Sequence, residues 1–182
     1  MIPPSKGAGE STPIDSIRWD SSWPKWVKSP ERNQLLGFLQ ERFGIPQSIF
    51  TNQHLLKRGA TVWLLTRDER LSGLASLSVE TVGVPILRWV GERLKPTSAA
   101  LQLFGKYVTK NIVSLEPIQL AELIGKREIR GEYPVSPGYV QIMTESIIIG
   151  CGLYLPGRLI SQFPRHMFAN QTWEYQGISR LE

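Results

Sequence analysis

The alternation of apolar and polar residues changes rhythm several times along this chain, and each change marks a predicted element. Residues 1–28 are rich in Pro, Ser and Gly and read as a flexible arm. Its far end carries Trp19, Trp23 and Trp26. Indoles are costly to leave in water, so these are expected to dock on the next domain as an anchor. Ser29-Pro30-Glu31 then starts a helix, with a hydroxyl cap, a proline at the first helical position and an acid at the positive end. Leu35, Leu36, Leu39 and Phe43 recur at helical spacing, and Gly44 supplies the stop. After Pro46 the pattern predicts a second short helical piece through Leu55 and Leu56 to Gly59. Residues 60–66 (ATVWLLT) read as a buried strand with Trp63 in its middle. Residues 77–82 and 84–90 are strand candidates divided by Gly83, and Pro85 marks an edge or a strand entry.

Beyond Trp89-Val90-Gly91 the rhythm becomes helical again. Ala100, Leu101, Phe104, Tyr107 and Val108 form one apolar face, opposite Gln102, Lys106 and Lys110. Residues 112–115 predict a short strand. Glu116-Pro117 starts another helix, with Ile118, Ala121 and Ile124 inward and Gly125 ending it. Residues 126–130 are extended or turning, and 131–138 form a loop containing Pro134 and Pro137. Residues 139–144 and 147–153 are strands around a polar turn, and the tail, 170–182, returns as a last strand through Trp173 and Tyr175. The expected class is α+β. A small α+β domain over 29–91 precedes a mixed β-barrel with covering helices over 92–182.

Composition narrows the function classes. A chain of 182 residues with 41% hydrophobic content is globular, and no apolar run approaches the ~20 residues that cross a bilayer. The N-terminus has no apolar block after its charge, so it does not read as a secretory signal. Cys151 is the only cysteine, which excludes an intramolecular disulfide and a cysteine metal cluster. A cytoplasmic location is the default expectation. The formal net charge of +5 favours a polyanionic partner, because each Lys or Arg that meets a phosphate releases counterions.

Enzyme chemistry finds little footing. Neither kind of glycine-rich phosphate loop is present. The two histidines, His54 and His166, would both be needed for a histidine metal site. Cys151 lies in an Ile- and Leu-rich strand between Gly150 and Gly152, which suits a small buried cysteine better than a nucleophile. Glu128, Glu132 and Glu145 show no spacing for acid–base work. No catalytic residue, metal or cofactor is expected.

The clearest functional signal is the segment 136–166. Arg130-Gly131-Glu132, Gly138-Tyr139-Val140, Ile149-Gly150-Cys151-Gly152, Gly157-Arg158-Leu159 and Phe163-Pro164-Arg165 follow one another in an ordered series. In that order they resemble the PUA-like RNA-binding domain found at the C-terminal end of rRNA 5-methylcytosine methyltransferases. The opening from Arg93 through Phe104-Gly105, and residues 114–121, are also similar. The two-part layout resembles the Nip7 family of ribosome-biogenesis factors. The likeness spans roughly residues 86–168. It departs from the methyltransferases in lacking their S-adenosylmethionine-binding fold and their proline-cysteine catalytic motif.

The resemblance implies a non-enzymatic module for structured RNA, either rRNA or tRNA, in ribosome assembly or RNA modification. It implies a groove lined by the first helix, the loop after it and the closing strand. Candidate contacts are Lys106, Lys110, Lys126, Arg127 and Arg130 in one group, with Arg158, Arg165 and His166 in the other. Tyr139 is the candidate for stacking on a splayed base, although a core tyrosine is the favoured reading of that position. Gly150 and Gly152 would admit either a nucleotide or a packed neighbour. Arg67, Arg70, Arg88 and Arg93 add charge to the first domain without a motif to rank them. The alternative is an adaptor that recruits or activates a separate RNA-modification protein.

Overall fold

The computed structural model describes residues 17–164. Two five-stranded sheets organise them. The first is an antiparallel meander in chain order, formed by β1 (Lys25–Trp26), β2 (Gln53–Arg58), β3 (Thr61–Thr66), β4 (Val84–Val90) and β5 (Arg93–Pro96). The second contains β6 (Ile112–Ser114), β7 (Glu128–Arg130), β8 (Gly138–Thr144), β9 (Ile147–Leu155) and β10 (Arg158–Ser161). Its spatial order is β6-β8-β9-β10-β7, with β6 parallel to β8 and every other pair antiparallel. Three α-helices complete the fold: α1 (Ser29–Phe43), α2 (Ser98–Phe104) and α3 (Pro117–Lys126). The class is α+β, and no closed barrel is found among the described residues.

Helix α1 buries the expected stripe of Leu35, Leu36, Leu39 and Phe43. Gly44 closes it at φ 73°, donating its N–H to the carbonyls of Gln40 and Leu39. The start differs by one residue. Lys28 occupies the cap position in extended geometry, so Ser29 falls inside the helix and caps nothing.

The stripe of α1, the inner residues of β2–β4, and Leu94, Ala100, Leu101, Phe104 and Val108 share one core. That core also takes Cys151 from β9, so α2 lies between the two sheets. Thr97 caps α2 by accepting from the Ala100 N–H at 3.0 Å. The helix is shorter than expected, tightening at Gly105–Tyr107 into a 3-10 turn. A Cβ on Gly105 would stand 2.3 Å from Ile148 Cδ1, so the backbone there lies directly against β9. The second core is built from Leu120 and Leu123 of α3 with Val140, Ile142, Tyr154 and Leu159 of the sheet.

Four sequence expectations need correction. The piece after Pro46 is a single 3-10 turn, Gln47–Phe50, and residues through Leu55 and Leu56 form β2 instead. Paired by β1 on one side and β3 on the other, β2 satisfies its backbone groups in a ladder that overrides local spacing. Residues 77–82 form no strand. Both edges of β3 are taken by β2 and β4, and the stretch instead clasps the chain near Trp23. In α3 the buried pair is Leu120 and Leu123; of the residues expected inward, Ile124 packs against the same core while Ile118 is 52% exposed. That helix ends at Arg127, held at φ 66°, rather than at Gly125.

The far end of the expected flexible arm is docked. β1 pairs with β2, Trp23 is 8% exposed, and its Nε1 donates to the Leu77 carbonyl at 3.0 Å. Trp19 stacks between Trp23 and Trp26, at centroid distances of 4.5 and 5.1 Å. The anchoring role expected for these indoles is therefore what the structure displays. Residues 1–16 and the tail strand expected over 170–182 lie outside the described residues. The boundary expected near Gly91 falls in the β4–β5 turn, and β5 remains paired to β4 in the first sheet.

Candidate nucleic-acid interface

Arg130 on β7 and Arg158 on β10 are cross-strand partners at the exposed edge of the second sheet. Directly opposed residues on an antiparallel pair lie side by side, and like charges there repel. Glu128 relieves part of this, with its Oε1 3.6 Å from Arg158 Nη1 in an exposed ion pair. The next carboxylate along the chain, Glu132, is already engaged by the Tyr154 hydroxyl, which donates to it at 2.6 Å. That hydrogen bond to the carboxylate pushes the Tyr154 phenol pKa up. The edge thus holds two guanidiniums against one weakly placed acid.

The remaining candidates divide by what they already touch. Lys126 is paired with Glu122 one helical turn earlier, at 2.8 Å. Arg127 donates from Nη2 to the Phe163 carbonyl at 2.8 Å, tying the end of α3 to the chain after β10. Lys106 is exposed on the 3-10 turn, its Nζ 4.9 Å from the Tyr107 ring centroid. Lys110 is exposed just before β6. β6 and β7 are the two ends of the strand order, so Lys110 lies toward the edge opposite Arg130 and Arg158, while Lys106 sits on the turn packed against β9. Arg165 and His166 lie outside the described residues.

Tyr139 is half-buried against the first core, where burial raises its phenol pKa. Its carbonyl accepts from Arg42 Nε at 2.7 Å. The side chain is therefore committed to packing. Arg42 also donates to the Ser136 carbonyl at 2.7 Å, and Asn111 Nδ2 donates to the Arg42 carbonyl at 2.7 Å. This short network joins the end of α1 to the start of β8.

The glycines of β9 serve protein packing. A Cβ on Gly150, at φ 151°, would lie 2.6 Å from Ser98 Oγ, and one on Gly152 would lie 2.5 Å from Ile142 Cδ1. Ile149 sits at the bulge between the Ile142–Gly150 and Met143–Ile148 partners, and its carbonyl accepts from Gln102 Nε2 at 2.9 Å. Burial pushes the Cys151 thiol up to about 12, so it is protonated at neutral pH and no nucleophile. Among the described residues no group of three or more His, Cys, Asp or Glu side chains could hold a metal ion. No described helix is long and apolar enough to cross a membrane.

A second basic surface escaped the reading by motif. Arg32 of α1 and Arg67, just after β3, line a groove of about 480 Å³ beside Trp26, Gln53 and His54. Arg67 is noticeable in the sequence only as charge, and Arg32 only as one residue of a helix. They come from elements separated by a strand pair, so no linear spacing announces them. No protein-family model matches the chain, and no curated protein matches it.

Proposed function

We infer that this chain is a non-enzymatic binder of structured RNA, rRNA or tRNA, with its second sheet and α3 forming a PUA-like module. The carrying observation is the Arg130–Arg158 pair, two like charges held opposite each other with one acid 3.6 Å away. An anion bridging them relieves the repulsion, and a phosphate accepts the planar fork of a guanidinium on two oxygens. The setting is an exposed sheet edge rather than a cleft, which suits recognition of shape and backbone more than reading of individual bases. Lys126, at the end of α3 and in an exposed ion pair, can exchange Glu122 for a phosphate at small cost. A role in ribosome assembly or RNA modification follows from the resemblance of the same segment to such modules.

The test is binding of nuclease-treated protein to total rRNA and tRNA across a salt series. Removing both guanidiniums, Arg130→Ala with Arg158→Ala, should lower affinity and make the log–log salt slope shallower by about 1.4–1.8, since each phosphate contact contributes roughly 0.7–0.9. An unchanged slope in the double variant overturns the assignment. The adaptor reading rests on Leu74 and Leu77, 44% and 53% exposed at one turn of the first sheet's cover. It predicts a protein partner that survives nuclease treatment and is lost on Leu74→Asp with Leu77→Asp.

A further inference from the structure

The groove beside α1 is basic and free of lining acids. Its cations are Arg32 and Arg67, and no Asp or Glu lines it. The nearest acids in sequence are occupied elsewhere. Glu31 is bonded to Lys57 at 2.5 Å, and Asp68 holds Arg70 at 2.8 Å. Arg70 draws the Asp68 carboxyl down to about 2, so that acid stays charged and committed to its own partner. Arg32 is fixed by one hydrogen bond, from Nη2 to the Phe50 carbonyl at 2.7 Å, and feels the charge of Arg67.

Trp26 and Gln53 also line this groove, with Trp26 Nε1 and Gln53 Oε1 buried beneath its surface. Trp26 also brings an aromatic wall, set edge-on to His54 with ring centroids 4.9 Å apart. Inorganic phosphate would answer the guanidiniums but leave the indole wall bare. A ligand that joins an anion to a flat ring answers both. The volume of about 480 Å³ lies within the roughly 300–1,000 Å³ usual for small-molecule sites.

We propose that this groove binds a nucleotide, its phosphate between Arg32 and Arg67 and its base against Trp26. The same chemistry is offered by a free nucleoside monophosphate and by one unstacked residue of an RNA strand. The site belongs to the first sheet and does not depend on the edge formed by Arg130 and Arg158.

The full chain is titrated with AMP, CMP, GMP and UMP, with their nucleosides and with inorganic phosphate, by calorimetry and tryptophan fluorescence. At least one monophosphate should bind saturably, one to one, and at least tenfold more tightly than its nucleoside or phosphate alone. Arg67→Gln should weaken it by tenfold or more, consistent with loss of a charge-assisted hydrogen bond. Arg67 is exposed, so its unfolding midpoint should not move. Amide shifts in the unaltered protein give an independent readout and should centre on Arg32, His54 and Arg67. Competition by a short single-stranded RNA assigns the site to an RNA residue, and absence of competition assigns it to a free nucleotide. The proposal is overturned by no saturable binding, by inorganic phosphate binding as tightly as the monophosphates, or by shifts centred elsewhere. The Arg130→Ala, Arg158→Ala protein should bind the nucleotide normally, so either site can fail alone.

Discussion

The second sheet carries helix on both faces, with α2 standing on β9 and α3 on the opposite side, whereas the first has helices on one face only. On the far side of the first sheet, Leu56 is fully buried although it points away from Leu55. Irregular chain supplies the cover there, through Trp23, Leu71 and Ala75, which are buried outside either main core. Three grooves border the first sheet: those of about 480 and 380 Å³ lie beside α1, and one of about 750 Å³ opens under the irregular cover. The difference separates two modes of contact. A flat edge suits a long polyanion, while a concave gap suits one small group.

The sharpest way to break this comparison is at the α2–β9 contact. Gly150→Val would put a branched side chain at φ 151°, with its Cβ 2.6 Å from Ser98 Oγ and 2.7 Å from Ser98 Cβ. Neither the backbone nor the helix can yield without losing the hydrogen bond from the Cys151 N–H to Ser98 Oγ. Strain and overpacking together should remove more than about 3 kcal/mol, measured by urea unfolding. A loss below ~1 kcal/mol would mean that α2 floats over the second sheet.

Much of this arrangement could be read from the chain. The stripe of α1, the strands β4, β6, β8 and β9, and the Gly44 stop all obey local rules that the sequence carries on its surface. What could not be read depended on partners. Leu55 and Leu56 fit a helix equally well until β1 and β3 are known to flank them. Residues 77–82 look like a strand, but both sides of β3 are already paired and the stretch bonds instead to Ser22 and Trp23. In α3 two stripes of similar spacing were available, and which one faces the core depends on how the helix is set against the second sheet. The site divides likewise. Arg130 and Arg158 were nominated by their motifs, but that they face each other depends on strand order. The groove of Arg32 and Arg67 was invisible, since α1, β2 and the turn after β3 meet only in the fold.

The contrast in cover sets the next effect. Leu123, fully buried under α3, and Leu71, 8% exposed in the 3-10 turn on the first sheet's outer side, can each be cut to Ala. Leu123→Ala should cost about 2–5 kcal/mol, because helix and sheet cannot collapse into the cavity. Leu71→Ala should cost roughly half as much, as a short irregular segment relaxes toward the gap. Equal losses by urea unfolding would show that the two covers are equally rigid.

The link between the halves is expected to contribute less. Arg42→Ala leaves the carbonyls of Tyr139 and Ser136 without their donor. Both are partly reached by water, so the loss should be about 1.5–3 kcal/mol. A broadened or two-step transition in this variant would show that Arg42 couples the sheets into one cooperative unit.

The smallest effect is a gain, and it tests the same contrast in reverse. Gly37 lies within α1, where an added Cβ meets nothing within 4 Å. Its backbone is helical, so alanine fits without strain and removes freedom from the unfolded chain. Gly37→Ala should therefore stabilise by about 0.5–1 kcal/mol and raise Tm by roughly 1–4 °C. The same glycine borders a shallow groove beside Phe38 and Trp89, on the helical side of the first sheet. If alanine destabilises, the helix must sit closer to a neighbour than the open space around Gly37 allows. If it stabilises while Gly150→Val does not fold, the two glycines have opposite origins. The one under α2 is demanded by packing, and the one in α1 is tolerated.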